Sequence, residues 1–275
     1  MPTSAKNSEN YRPLYLVTGA TAGIGFEIVR GLARGGRRVV LACRDQVKGE
    51  AARKSISEEI RDADIELLIV DLASQSSIRS SAQSFSQKHD VLDVLINNAG
   101  TSSSERQESP DGIELTFATN ALAYHLLTAQ LLGLLRHAAA ARVINTASMM
   151  AYGLELDDVN FTRRRYDASA AYAQSKQADR MLTWALARRL DGTSVTANAL
   201  HPGVVNTSLL RALAPGLSGT TPAEGANTAV WLATSPEVAG VSGRLWVKRQ
   251  ETPCKFRGED HEEALWSMCD QMTAR

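Results

Sequence analysis

Thr18-Gly19-Ala20-Thr21-Ala22-Gly23-Ile24-Gly25 is the stretch from which the rest of this chain can be read. It follows an apolar run, Leu14 to Val17, that begins just after Pro13. It opens a periodic segment, Phe26 to Arg34, that carries Ile28, Val29 and Leu32. The order is strand, tight turn, helix. Three glycines in one turn have a physical use, because positive φ costs glycine little and a missing Cβ lets backbone approach a ligand. The new helix aims its unpaired N–H groups and its positive dipole end at whatever occupies the turn. A pyrophosphate suits that place. Glycines at 19, 23 and 25 do not make the common G-x-G-x-x-G fingerprint, and the cluster by itself is equally a strand–helix turn without a ligand.

Working outward, apolar runs and helical periods alternate. A second strand is expected over Arg38–Cys43, an exposed helix over 46–61 and a third strand over Ile65–Val70. Ser74 or Ser76 can cap a helix reaching Lys88. A fourth strand, Val91–Ile96, runs into Asn97-Asn98-Ala99-Gly100. A polar loop over 101–111 precedes a long helix over 113–137 and a fifth strand, Arg142–Thr146. Residues 149–168 have no period, and connections of that length are often functional. A helix over 170–190 and a sixth strand, Ser194–Leu200, follow. Residues 204–221 read as a mobile stretch. Thr221-Pro222-Ala223-Glu224 has capping-box spacing with proline at the first helical position. That helix runs to Thr234, and Gly243–Val247 reads as the last strand. The alternation predicts an α/β fold with a single doubly wound Rossmann-type parallel sheet, helices on both faces and ligands outside the strands' carboxyl ends.

Composition excludes several classes. The 275 residues carry equal numbers of acidic and basic side chains, so there is no electrostatic footprint for nucleic acid or an anionic membrane. An apolar share of 44% supplies a sizeable core. Cys43, Cys254 and Cys269 have no metal or redox spacing, and an odd count suits a reducing, cytoplasmic compartment. His125 and His201 lack partners at metal spacing, so no metal is expected. Residues 1–12 are polar without an apolar stretch and read as a disordered arm ahead of a single domain over 13–275. Ala121–Ala141 is interrupted by His125, Gln130, Arg136 and His137 and reads as a buried helix, not a membrane span.

Tyr172 and Lys176 stand four apart on a helix and therefore share a face. A nearby ammonium favours the phenolate of a tyrosine. Such a pair can act as a general acid/base on a carbonyl or alcohol, although Tyr and Lys at this spacing also recur by chance. Ser148, just past the fifth strand, can donate to a substrate oxygen or be a simple turn residue. Asn120 is a poor helix former inside a helix, which marks either a buried hydrogen bond or a site. Arg163-Arg164-Arg165 reads as a solvated turn. Met149, Met150, Tyr152, Leu209, Leu210 and Trp246 are candidates for an apolar pocket.

Thr18–Gly25, Asp71, Asn97–Gly100, Asn120, Ser148, Tyr172–Lys176 and Pro202–Gly203 together resemble the short-chain dehydrogenase/reductases, in order and setting, from about residue 13 onward. Ala42-Cys43-Arg44-Asp45 with Lys48-Gly49-Glu50, His201-Pro202-Gly203-Val204-Val205 and the late Leu265-Trp266 resemble the NADP-dependent, retinol-dehydrogenase-like branch. The resemblance implies a hydride transfer between NADP(H) and an alcohol/carbonyl pair, with a lipophilic small-molecule substrate. It implies Tyr172 as proton donor or acceptor, Lys176 on the nicotinamide ribose, Ser148 on the substrate oxygen and Asn120 ordering a water in a relay to Lys176. Gly19, Thr21, Gly23, Ile24, Gly25, Arg44, Asp71, Leu72, Asn98, Ala99, Gly100, Val205 and Thr207 would join Tyr172 and Lys176 in binding the cofactor. Cys43 stands where an NAD-preferring acid would be, and Arg44 where a 2′-phosphate would be met; Asp45 is the competing candidate for the ribose. The helices over 113–137 and 170–190 resemble a dimer-forming pair, so a homodimer is expected. Two rivals stay open: an NADPH-binding regulator without turnover, and a non-redox biosynthetic enzyme on the same fold.

Overall fold

The computed structural model describes residues 11–274; the expected N-terminal arm lies mostly outside them. Strands β1 (Leu14–Thr18), β2 (Arg38–Cys43) and β3 (Ile65–Ile69) alternate with helices α1 (Gly23–Arg34), α2 (Gln46–Glu59) and α3 (Gln75–Lys88). Then come β4 (Val94–Asn97), a short α4 (Leu115–Phe117), a π-helical turn (Ala118–Leu122), α5 (Ala123–His137) and β5 (Ala141–Thr146). The chain continues through α6 (Ala168–Arg189), β6 (Val195–His201), α7 (Ser208–Leu213) and α8 (Pro222–Thr234). It closes with β7 (Leu245–Val247), β8 (Gln250–Thr252) and α9 (Glu259–Met272). The sheet order is β3-β2-β1-β4-β5-β6-β7-β8, parallel except for the β7–β8 pair. Strand order reverses between β1 and β4, which is where a doubly wound sheet opens its crevice.

Period-two alternation builds the layers. Leu14 and Leu16 face the core under α3, α5 and α6, while Tyr15 and Val17 face the one under α1 and α8. A fully buried aliphatic side chain contributes about 1.5–3 kcal/mol, so these two cores dominate the stability. α1 shows the pattern well, burying Ile28, Val29, Leu32 and Ala33.

Several boundaries differ from expectation. β4 starts three residues late because Asp93 is used as a clamp: its carboxylate accepts from Leu14 N (2.7 Å) and from the Tyr11 hydroxyl (2.6 Å). The stretch 204–221 contains α7, capped by the Thr207 hydroxyl, which accepts from Leu210 N (3.2 Å). The sheet does not end at Val247. Lys248 and Arg249 turn the chain at φ 49° and 63°, and β8 returns antiparallel. Two-residue turns of this kind usually announce themselves with Asn-Gly, which is why Lys-Arg gave no signal. α9 is a further addition. Glu259, Asp260 and Glu262 in its first turn complement the helix dipole. Glu262 and Glu263 bind Arg188, and Glu263 also binds Arg189, while Leu265 and Cys269 are fully buried. In the arginine run Arg163 and Arg165 are exposed as expected, and Arg164 is partly buried. Arg163 pairs with Asp157, and Arg164 reaches Glu155 (2.8 Å) and lies 4.0 Å over the Phe161 ring.

Candidate active site

The turn between β1 and α1 is held by β4. Asn98 N and Ala99 N donate to the Thr18 hydroxyl at 2.9 and 3.1 Å, and Asn98 Nδ2 donates to Thr18 O at 3.0 Å. Gly19 sits at φ 65°, and a Cβ there would stand 2.7 Å from Ala99 Cα. A Cβ on Gly25 would stand 2.3 Å from Gly19 O and 2.6 Å from Asn98 Nδ2. The glycines therefore allow three backbone segments to meet, leaving a backbone-walled cradle at the N-terminus of α1.

One cleft of about 990 Å³ runs from this cradle along the carboxyl ends of the strands. Gly19, Thr21, Gly23, Ile24, Gly25, Arg44, Asp71, Leu72, Asn98, Ala99, Gly100, Val205 and Thr207 all line it. So do Ser148, Tyr172 and Lys176. At its β2 end Arg44 is exposed, with no carboxylate within 4.0 Å among the described residues. Asp45 is already engaged: its carboxylate caps α2 by accepting from Lys48 N at 3.1 Å. Cys43 donates to Asp45 O at 3.4 Å, and burial pushes its thiol up. Asp71 spends one oxygen on Ala73 N (3.0 Å).

The other wall is made of side chains. α6, capped by Asp167 on Ala170 N (2.8 Å), carries Tyr172 and Lys176 one turn apart, and the ammonium lies 6.0 Å from the Tyr172 ring centroid. Lys176 Nζ donates to Thr146 O (2.9 Å) and to Asp179 Oδ2 (2.7 Å). Burial works against the Lys176 charge, but Asp179, Tyr124 and Tyr172 outweigh it and raise its pKa. Burial likewise pushes Asp179 upward against the pull of Lys176 and Arg180. Ser148 is nearly buried, and its hydroxyl accepts from Met150 N at 3.1 Å. His201 Nδ1 accepts from Met149 N at 3.3 Å; burial, then Arg180, bring its pKa down to about 4, so it is neutral at pH 7.

Asn120 lies behind the cleft wall. It is wholly buried and does not line the cleft. Its Nδ2 donates to Thr101 O and Ser175 Oγ, both at 3.0 Å, and its Oδ1 accepts from Thr101 N at 2.8 Å. Both amide hydrogens are engaged by protein, so the side chain ties the loop after β4 to the residue before Lys176. It sits in the π turn, a distortion common at functional sites. Met149, Met150, Leu209 and Leu210 line the cleft. Trp246 is instead core, edge-on to Trp231, and Tyr152 is exposed away from the cleft.

Residues 14–217 match the model of the short chain dehydrogenase family. The chain belongs to that family. Its enzymes are oxidoreductases, and this chain is one. Human retinol dehydrogenase 14 is 38% identical over 94% of this chain and 85% of that protein. A crystal structure of an uncharacterized Mycobacterium paratuberculosis protein matches with TM-score 0.78 at 28% identity, covering 98% of each chain. The Pseudomonas aeruginosa RhlG/NADP active-site complex matches with TM-score 0.70 at 29% identity, over 86% of this chain and 94% of that one.

Three residues of this short-chain dehydrogenase's site were missed in the sequence reading. Tyr124 donates to Ala99 O (2.6 Å) beneath the cleft, 5.2 Å from the Lys176 ammonium, and burial raises its pKa. Asp179 and Arg180 are buried beside Lys176 and Ser148. Tyr124 gave no signal, lying in an apolar helix where an aromatic reads as core. Asp179 had one: an acid three residues past a lysine shares its helix face.

Proposed function

We propose that this enzyme moves a hydride between NADP(H) and a lipophilic alcohol/carbonyl pair, with Tyr172 as the acid/base. The carrying observation is that Ser148, Tyr172 and Lys176 line the same cleft as the glycine cradle. The cofactor, when bound, supplies the hydride chemistry. The residues present fit it. Gly19 and Gly25, where a Cβ would strike Ala99, Gly19 O and Asn98, let backbone close into a cradle at the N-terminus of α1, the place a diphosphate takes. Among the described residues no carboxylate pairs with Arg44, and its guanidinium can meet a 2′-phosphate with a two-pronged hydrogen bond. Asp71 and Leu72 would flank the adenine, Asn98 to Gly100 the middle of the groove, and Val205 and Thr207 the carboxamide. Ser148 would hold the substrate oxygen and Tyr172 would exchange its proton. Lys176 would bind the ribose and favour the phenolate. Met149, Met150, Leu209 and Leu210 give the substrate end an apolar wall. That wall agrees with a lipophilic alcohol of the kind named for human retinol dehydrogenase 14.

The same reading takes residues 13–275 as one domain. A cytoplasmic location fits three free thiols, two of them buried; among the described residues no helix is long and apolar enough to cross a membrane. A homodimer through α5 and α6 would have to accommodate α9, which already lays Asp270 on His125 (2.8 Å) and Trp266 against Arg189. Light scattering at several concentrations decides the assembly.

Tyr172→Phe is the test of the chemistry. It keeps the ring, so NADPH binding should persist while kcat drops by about 10²-fold or more. A variant that turns over like the wild type would remove Tyr172 from the reaction. Loss of NADPH absorbance over a panel of aliphatic and aromatic carbonyls separates this reading from a regulator without turnover.

A further inference from the structure

We propose that Asp179 is a positioning residue of this enzyme, the buried counter-ion that keeps Lys176 charged and aimed at the cleft. The proposal rests on the roles given above to Tyr172 and Lys176.

The donor geometry comes first. An ammonium has three N–H donors. Lys176 spends one on Thr146 O (2.9 Å) and one on Asp179 Oδ2 (2.7 Å), which leaves a single donor for the cleft it lines. Both side chains are out of water, at 3% and 0% exposure. The other carboxylate oxygen, Asp179 Oδ1, is buried without a hydrogen-bond partner among the described residues. A carboxylate kept for architecture would use both oxygens on backbone or caps, as Glu114 does with Thr116 N and Phe117 N. Asp179 makes its one side-chain hydrogen bond to Lys176.

The charges around the pair show why it is needed. Arg180, next along α6, is also buried. It donates to Ser148 O and to Cys254 Sγ (3.8 Å), and among the described residues no carboxylate lies within 4.0 Å of it. From α5, Tyr124 faces the ammonium as a neutral phenol, and from β6, His201 faces Arg180 as a neutral imidazole. Tyr172 completes the set on α6 itself. Among the described residues, two buried cations therefore stand beside one buried acid, and only Lys176 bonds to it. A buried cation without a partner sheds its proton if it can. Arginine cannot, and lysine can. Removing the charge of Asp179 would discharge Lys176, and Tyr172 would lose the ammonium that favours its phenolate.

Asp179→Asn keeps the size and still offers an oxygen to Lys176. In alcohol oxidation with NADP the pH of half-maximal kcat should rise by about one unit or more, with a higher KM for the cofactor. At a pH below the wild-type midpoint this is a loss of about tenfold. A residue that only supports the fold would lower kcat at every pH without moving the midpoint. An unmoved or acid-shifted midpoint overturns the proposal. Tyr172→Phe is measured alongside: an active Tyr172→Phe sinks the acid/base reading and this proposal with it. An inactive one, beside an unmoved Asp179→Asn midpoint, sinks the proposal alone. Should Asp179→Asn not fold, Lys176→Met/Asp179→Asn decides, because it leaves no half-paired charge. The double variant is expected to fold, and one that fails to fold, like Asp179→Asn, overturns the proposal.

Discussion

The two walls of the cleft are built on opposite plans. The β1–α1 wall is backbone: glycine removes side chains so that Thr18, Gly25 and Ala99 can meet. The α6 wall is side chain: Lys176 is buried between Asp179 and the Thr146 carbonyl, and Arg180 beside them is buried on the Ser148 carbonyl. A backbone wall tolerates changes of pH and fails by steric clash. A wall of buried charges tolerates no loss of one partner and fails by charge imbalance. The first plan suits a ligand recognised by shape and helix dipole, the second a proton that must move.

The largest effect should come from breaking the backbone wall. Gly25→Ala puts a methyl 2.3 Å from Gly19 O, and neither that oxygen nor Asn98 Nδ2 belongs to a free end. Cofactor binding should be abolished in a fluorescence titration, with a stability loss of about 3 kcal/mol or more, the scale of severe overpacking. Normal NADPH affinity in Gly25→Ala would mean the cradle is looser than described.

Next comes Arg44, a cation lining the cleft beyond that wall. Arg44→Ala should lower kcat/KM for NADPH by about 10- to 100-fold, the worth of a charge-assisted hydrogen bond of roughly 1.5–3 kcal/mol. The value for NADH should be nearly unchanged, because it carries no 2′-phosphate. A wild-type preference for NADH would contradict the assignment.

The side-chain wall should show its character in acid. His201 has its pKa brought down to about 4 from 6.5. The unfolded chain therefore takes up a proton below pH 6.5 that the folded chain refuses until about 4. Stability is fully present above 6.5 and is lost as pH falls toward 4. His201→Gln keeps an acceptor for Met149 N and removes this titration. Its unfolding free energy should lose about 2 kcal/mol less than wild type between pH 7 and 5. Parallel denaturation curves at the two pH values would show that His201 is not held neutral.

The smallest effect sharpens the cofactor assignment. Asp45 caps α2, so Asp45→Ala should cost about 1 kcal/mol of stability and leave the NADPH/NADH ratio unmoved. A variant that shifts the ratio toward NADPH would place Asp45 at the ribose.

Much of the frame was legible because it is local. The Gly19–Gly25 turn, the Thr221–Glu224 capping box and the period-two strands are written within a few residues of themselves, and the structure has them. The misses are non-local or chemically silent. β8 hides behind a Lys-Arg turn, and β4 is shortened by a carboxylate that serves β1. α9 is held by Arg188 and Arg189, seventy residues upstream. Arg164 read as solvated until Glu155 and Asp158 folded against it, whereas Arg163 and Arg165 are exposed as expected.

By itself the sequence determined the alternation of strands and helices from β1 to β6, the glycine turn at 19–25 and the shared face of Tyr172 and Lys176. Each depends on spacing along one element, and spacing is a property of the chain. Only the tertiary structure decided that Asn120 is tied to Thr101 and Ser175, that Asp45 caps a helix while Arg44 has no carboxylate within 4.0 Å among the described residues, and that Lys176 is buried against Asp179. Those facts depend on which groups lose water together. Burial is set by packing between elements far apart in the chain, and it converts an ordinary charge into one that needs a partner.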